Sequence, residues 1–78
     1  MNNITKQQYD RLQLYQSCGT KESFNDLLYC LCGITARPCT MYDYYDEAGN
    51  YIGNSNDSVV LDLLRGAGVR VVDGDEND

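Results

Sequence analysis

The chain has no histidine and no tryptophan, a single proline and phenylalanine, and half as many basic as acidic side chains. Each shortage excludes something. Without histidine, the commonest general base and the usual activator of a nucleophilic serine or cysteine are missing. Carboxylate pairs such as Asp43 with Asp46 or Glu47 remain, but a general acid needs a raised pKa and solvated acids at a hairpin tip do not have one. Nothing in the pattern assembles nucleophile, base and anion hole, so the chain is not expected to be an enzyme. Six basic residues against twelve acids give a net charge of −6. Phosphate contact wants clustered Lys and Arg, so direct binding to nucleic acid is not expected. No apolar run approaches the roughly 18 residues that span a bilayer, which excludes a membrane helix. The opening "MNNITKQQYD" lacks the apolar segment of a secretory signal, so a cytoplasmic location is expected.

What is present suits one small globular domain covering residues 1–78. Hydrophobic residues make up 42% of the chain, enough for a core but a modest one at this length. The charge is uneven. Residues 1–37 hold four basic side chains against three acids, whereas residues 38–78 hold two against nine.

Cys18, Cys30, Cys32 and Cys39 follow the spacing C-x11-C-x-C-x6-C. Structural zinc sites use pairs about two to four residues apart, and this pattern offers none. Cys30 and Cys32 fall in a helical segment, where residues two apart point to different faces. Disulfides are rare in a reducing cytosol. Buried thiols, with no metal and no cofactor, are the expectation.

Thr5-Lys6-Gln7-Gln8 fits a capping box that opens a helix running to about Ser17, ended by Gly19. A second helix is expected over Lys21 to Cys32. Its Phe24, Leu27, Leu28 and Leu31 recur at helical spacing, and Gly33 stands at the C′ position. "ITARP" reads as a connector. Cys39 to Tyr45 reads as a strand and Asn50 to Gly53 as its return, joined through Asp46-Glu47-Ala48-Gly49 in a three-residue hairpin loop with a glycine bulge. Asp57 or Ser55 would cap a short third helix over Ser58 to Arg65. Val69 to Val72 forms a last strand, and an acidic tail follows over about 73–78. The expected fold is α+β in the order α-α-β-β-α-β. The Tyr42 strand lies at the centre of a small three-stranded sheet, and a right-handed crossover leads from the second strand to the third.

Two glycine-containing motifs carry no ligand reading. Gly66-Ala67-Gly68 leaves a helix for a strand, the reverse of a phosphate-binding loop. In "DEAGNYIGNSND" the glycine and the third ligand are misplaced for a calcium loop, and "DGDEND" stops before one could finish.

"YDYYDEAGNYIG" is the densest stretch. On a strand Tyr42 and Tyr44 share one face while Asp43 and Tyr45 share the other. One face covering the helices and one facing water would account for the pattern. A second reading leaves Tyr45 and Tyr51 exposed among Asp43, Asp46 and Glu47. Tyrosine supplies large contact area at low entropic cost, and aromatics among acids suit an Arg-rich partner. Residues two apart on a strand lie about 6.7 Å from each other, close to the spacing of neighbouring phosphates.

With Asp43, Asp46, Glu47, Asp57, Asp62, Asp73, Asp75, Glu76 and Asp78, and with the hairpin tyrosines, the chain resembles small acidic phage-encoded inhibitors, among them anti-CRISPR proteins and DNA mimics. The resemblance implies a stoichiometric inhibitor, monomeric when free, acting in the host cytoplasm. Its partner would be a protein with a basic nucleic-acid-binding surface, such as a CRISPR effector subunit, and it would block nucleic-acid binding. The candidate partner-binding residues are Asp43, Tyr45, Asp46, Glu47, Tyr51, Asp57 and Asp62. The alternative is a small structural or regulatory domain that self-associates through apolar helix faces.

Overall fold

In a computed structural model of the chain, which describes residues 3–56 and 58–73, the fold is α+β. The described order is β1 (Asn3–Thr5), α1 (Lys6–Cys18), α2 (Lys21–Cys32), β2 (Thr35–Pro38), β3 (Tyr42–Tyr45), β4 (Tyr51–Asn54), α3 (Val60–Gly66) and β5 (Arg70–Val72). No described helix is long and apolar enough to cross a membrane.

Local chemistry explains the helix starts. Thr5 Oγ1 accepts from the Gln8 amide at 3.1 Å while the Gln8 side chain accepts from the Thr5 amide at 2.8 Å, completing the capping box. Thr20 caps α2 with one half of that arrangement, its Oγ1 accepting from the Ser23 amide at 3.1 Å. Gly33 ends α2 at φ 72°, a left-handed cap. The chain turns at once into β2, with Ile34 fully buried beside the turn.

Two sheets form. β2, β3 and β4 make a three-stranded antiparallel sheet with β3 in the centre, while β1 and β5 pair in parallel as a separate two-stranded ribbon. The Tyr42 strand is therefore central and antiparallel to both neighbours, as its pattern suggests. Its second neighbour is β2, and not the C-terminal strand. "ITARP" is thus a strand and not a connector, and no crossover returns the chain to the same sheet after α3. The physical reason is locality. Cys39 to Met41 bend β2 straight back onto β3, so this pairing closes a far shorter loop than one made through α3. β5 instead pairs with β1, which places Ile4 opposite Val71 and buries Ile4.

The core combines Leu12 of α1, Phe24, Leu28 and Cys32 of α2, Tyr44 of β3 and Val60, Leu63 and Leu64 of α3, with Ile4, Ile34 and Val69. The Phe24 and Tyr44 rings meet edge to face at 6.5 Å. Tyr44 is the one buried residue with a phenol, and its hydroxyl donates to Asn25 Oδ1 at 2.7 Å. Burial, helped by the neighbouring Tyr42, pushes its pKa up to about 12.

The cysteines depart from the buried-thiol expectation. Only Cys32 is buried, and its thiol is pushed up to about 11 by that burial. Cys18 ends α1, Cys30 lies on the solvent face of α2 and Cys39 sits in the bend, all exposed. No disulfide joins the four. Helix α3 starts at Val60 and not at Ser58, capped by Val59 with no side-chain hydrogen bond. The expected cap Ser55 is used elsewhere, on β3, and Asp57 lies outside the described residues.

Candidate protein-binding face

The three-stranded sheet turns one face inward and one outward, set by strand alternation. Tyr44 is buried, and Tyr42 and Ala36 pack against the core beside it. Asp43, Tyr45, Arg37 and Thr35 therefore occupy the outer face. Register places Arg37 opposite Asp43, and Asp43 opposite Asn54. The next row sets Thr35, Tyr45 and Tyr51 side by side. Tyr45 and Tyr51 contact edge to face with centroids 5.9 Å apart, and Tyr51 is 55% exposed. Asn54 Nδ2 donates to the Tyr51 hydroxyl at 3.1 Å, holding that ring on the face.

Sequence reasoning missed Arg37. Its guanidinium lies over the Tyr45 ring, 4.7 Å from the centroid, a cation–π contact within the chain. No local pattern shows it, because it follows from β2 being a strand in register with β3. Its effect is that one ring face of Tyr45 already holds a cation, while Tyr51 is the more open ring.

The acids divide by what they do. Asp43 stands on the outer face, half-buried. Asp46 builds the hairpin: Oδ1 accepts from the Ala48 amide at 3.0 Å and the Asn50 amide at 2.8 Å, and Oδ2 accepts from Asn50 Nδ2 at 3.3 Å. The Asn50 backbone bond is the largest cause that lowers its pKa below the usual aspartate value. Gly49, at φ 90°, donates to the Asp46 carbonyl at 3.0 Å, which is the expected three-residue loop. Glu47 folds back over the end of α2, since a Cβ added at Gly33 would lie 2.6 Å from Glu47 Oε2. Asp62 is exposed in the first turn of α3. The structure thus brings Asp43, Tyr45 and Tyr51 together and gives Asp46 and Glu47 local roles beside them. Asp57 and residues 74–78 of the acidic tail lie outside the described residues.

Among the described residues no group of three or more Cys, Asp or Glu side chains is placed to hold a metal ion. Comparison of the chain with protein-family models, with curated proteins and with solved structures finds no match.

Proposed function

We propose that the chain is a non-enzymatic binding protein that occupies a basic nucleic-acid-binding surface of a protein partner and excludes nucleic acid from it, in the manner of phage inhibitors of CRISPR effector complexes. The observation that carries this reading is the exposed Tyr51, packed edge to face on Tyr45 beside Asp43, in a chain of net charge −6. Long-range charge attracts a basic surface, and the tyrosine pair supplies anchoring area once contact is made. A partner arginine meets the open ring of Tyr51 and the Asp43 carboxylate, because Arg37 fills the near face of Tyr45. Phe24 and Leu28 of α2 are buried in the chain's own core, whereas Leu14 of α1 and Leu61 of α3 are exposed and are what self-association through helix faces would use.

A displacement assay tests the reading. A CRISPR effector complex carrying fluorescent nucleic acid should release it as the chain is added, with an affinity that falls as salt is raised. Tyr45→Ala with Tyr51→Ala should speed dissociation, Asp43→Asn should slow association, and Arg37→Gln should tighten binding by removing the competing cation. Formation of a complex that retains its nucleic acid would contradict the proposal.

A further inference from the structure

The three-stranded sheet has two edges, and among the described residues only one is covered. Hydrogen bonding along β3 fixes which groups point where. The Tyr42 carbonyl accepts from the Ser55 amide at 2.9 Å and the Tyr42 amide donates to Ser55 Oγ at 3.1 Å, while the Asp46 amide donates to the Asn50 carbonyl at 2.9 Å. Residues 42, 44 and 46 therefore direct their backbone toward β4, and Asp43 and Tyr45 direct theirs toward β2. Since Arg37 opposes Asp43 and Thr35 opposes Tyr45, Ala36 and Pro38 turn their backbone groups away from the sheet. Pro38, which has no N–H, sits where a donor would find no strand to meet it. The Ala36 N–H and C=O and the Pro38 C=O form an open edge.

Beside that edge lies a groove of about 330 Å³ between β2 and α2. Its walls include Glu22, Asp26 and Tyr29 of α2 and Ala36, Pro38 and Tyr42 of the sheet, and no basic side chain lines it among the described residues. Tyr29 is 64% exposed. A strand added to β2 would point alternate side chains down this groove, against two carboxylates and an exposed ring.

We infer that the open edge of β2 and the α2 groove take an extended basic segment of a partner protein by strand addition, with Lys or Arg at alternate positions facing Glu22 and Asp26. The backbone at Ala36 supplies directional hydrogen bonds, the acids select a basic segment, and Tyr29 gives an arginine or lysine stem an aromatic surface. Pro38 limits the register, because pairing cannot use a donor there. This edge and the outer face with Tyr51 are separate surfaces, so either can bind without the other.

The experiment is a titration of the 15N-labelled chain with a short capped peptide alternating lysine and threonine, at low ionic strength. Three comparison peptides are used: one with glutamate for lysine, one scrambled to lose alternation, and one N-methylated at the positions that would pair with Ala36. Shifts are expected at residues 35–38 and at Glu22, Asp26 and Tyr29, together with slowed hydrogen exchange of the Ala36 amide. Glu22→Gln and Asp26→Asn should each weaken binding by about 1.5- to 5-fold, the usual range for exposed ion pairs. The glutamate and N-methylated peptides should not bind, and the scrambled one should bind more weakly. Equal binding of the N-methylated peptide, or unchanged exchange at Ala36, would overturn strand addition. Shifts confined to Asp43, Tyr45 and Tyr51 would overturn this site while agreeing with the outer-face proposal. Binding at the edge by a chain that displaces no nucleic acid would support this site and count against that proposal.

Discussion

The two edges of the sheet show opposite treatments of the same problem. Along β4, α3 and Ser58 close the edge. The Asn54 amide donates to Ser58 Oγ at 3.2 Å and the Ser58 amide donates to the Asn54 carbonyl at 3.2 Å. Gly66 sits so close that an added Cβ would lie 2.8 Å from the Ile52 Cβ. Gly53 takes φ 153° at a register shift, with Ser58 and Leu63 packed where a side chain would go. Along β2 nothing comparable is built among the described residues. A proline and a groove stand where the other edge has a helix. An unpaired edge is a template for another chain, and proteins commonly cover, shorten or break it. Here one edge is covered and the other is only shortened and interrupted by Pro38.

Substitutions on the closed side should be costly. Leu63→Ala removes a side chain only 1% exposed that holds α3 over β4, and should destabilise by about 2–5 kcal/mol. Chemical denaturation measures this, and a loss below the lower bound would mean that α3 is not what closes the edge. Gly53→Ala combines a strained backbone with the Ser58 contact and should cost about 1–3 kcal/mol. Ser58→Ala removes the hydroxyl that accepts from the Asn54 amide, and should cost about 0.5–1.5 kcal/mol. On the open side, Ala36→Pro removes an outward-facing donor and breaks no sheet hydrogen bond, so it should cost less than Leu63→Ala even though the Ala36 side chain packs against the core. A loss as large as that of Leu63→Ala would count against the contrast between the edges.

Acid should act on the hairpin with a defined sign. The folded pKa of Asp46 is depressed, so the support its carboxylate gives the turn is complete above its ordinary value of 3.8. That support fades as pH falls through the lower folded value. Chemical-shift titration should place the Asp46 midpoint below that of an unstructured aspartate, and Asp46→Asn should abolish this part of the acid response.

The sequence carried some of this plainly and some of it not at all. The Thr5 capping box, the α2 stripe and the Asp46–Gly49 loop are local devices, set by residues within seven positions of one another, and all three are found as their residues suggest. β1 and β2 escape local reading because each is short and lacks an alternating pattern. Asn3–Thr5 is a strand only because Val71 and Val72 lie beside it. Pro38 argued for a connector, yet its missing donor is harmless when it faces an open edge. The face composed of Asp43, Tyr45 and Tyr51 follows from strand alternation and was legible. The Arg37 contact, the fold-back of Glu47 and the exposure of Cys18, Cys30 and Cys39 depend on tertiary neighbours, which no local pattern encodes.

Amide hydrogen exchange of Ala36 against Tyr44 tests the contrast between the edges most directly. These residues are register partners across β2 and β3, but their backbone groups point in opposite directions. The Tyr44 amide faces β4 opposite Gly53 and should exchange slowly, as should the Asn54 amide held by Ser58. The Ala36 amide should exchange far faster than both, at a rate close to that of an unpaired strand residue. Protection of Ala36 equal to that of Tyr44 would contradict the open edge of β2.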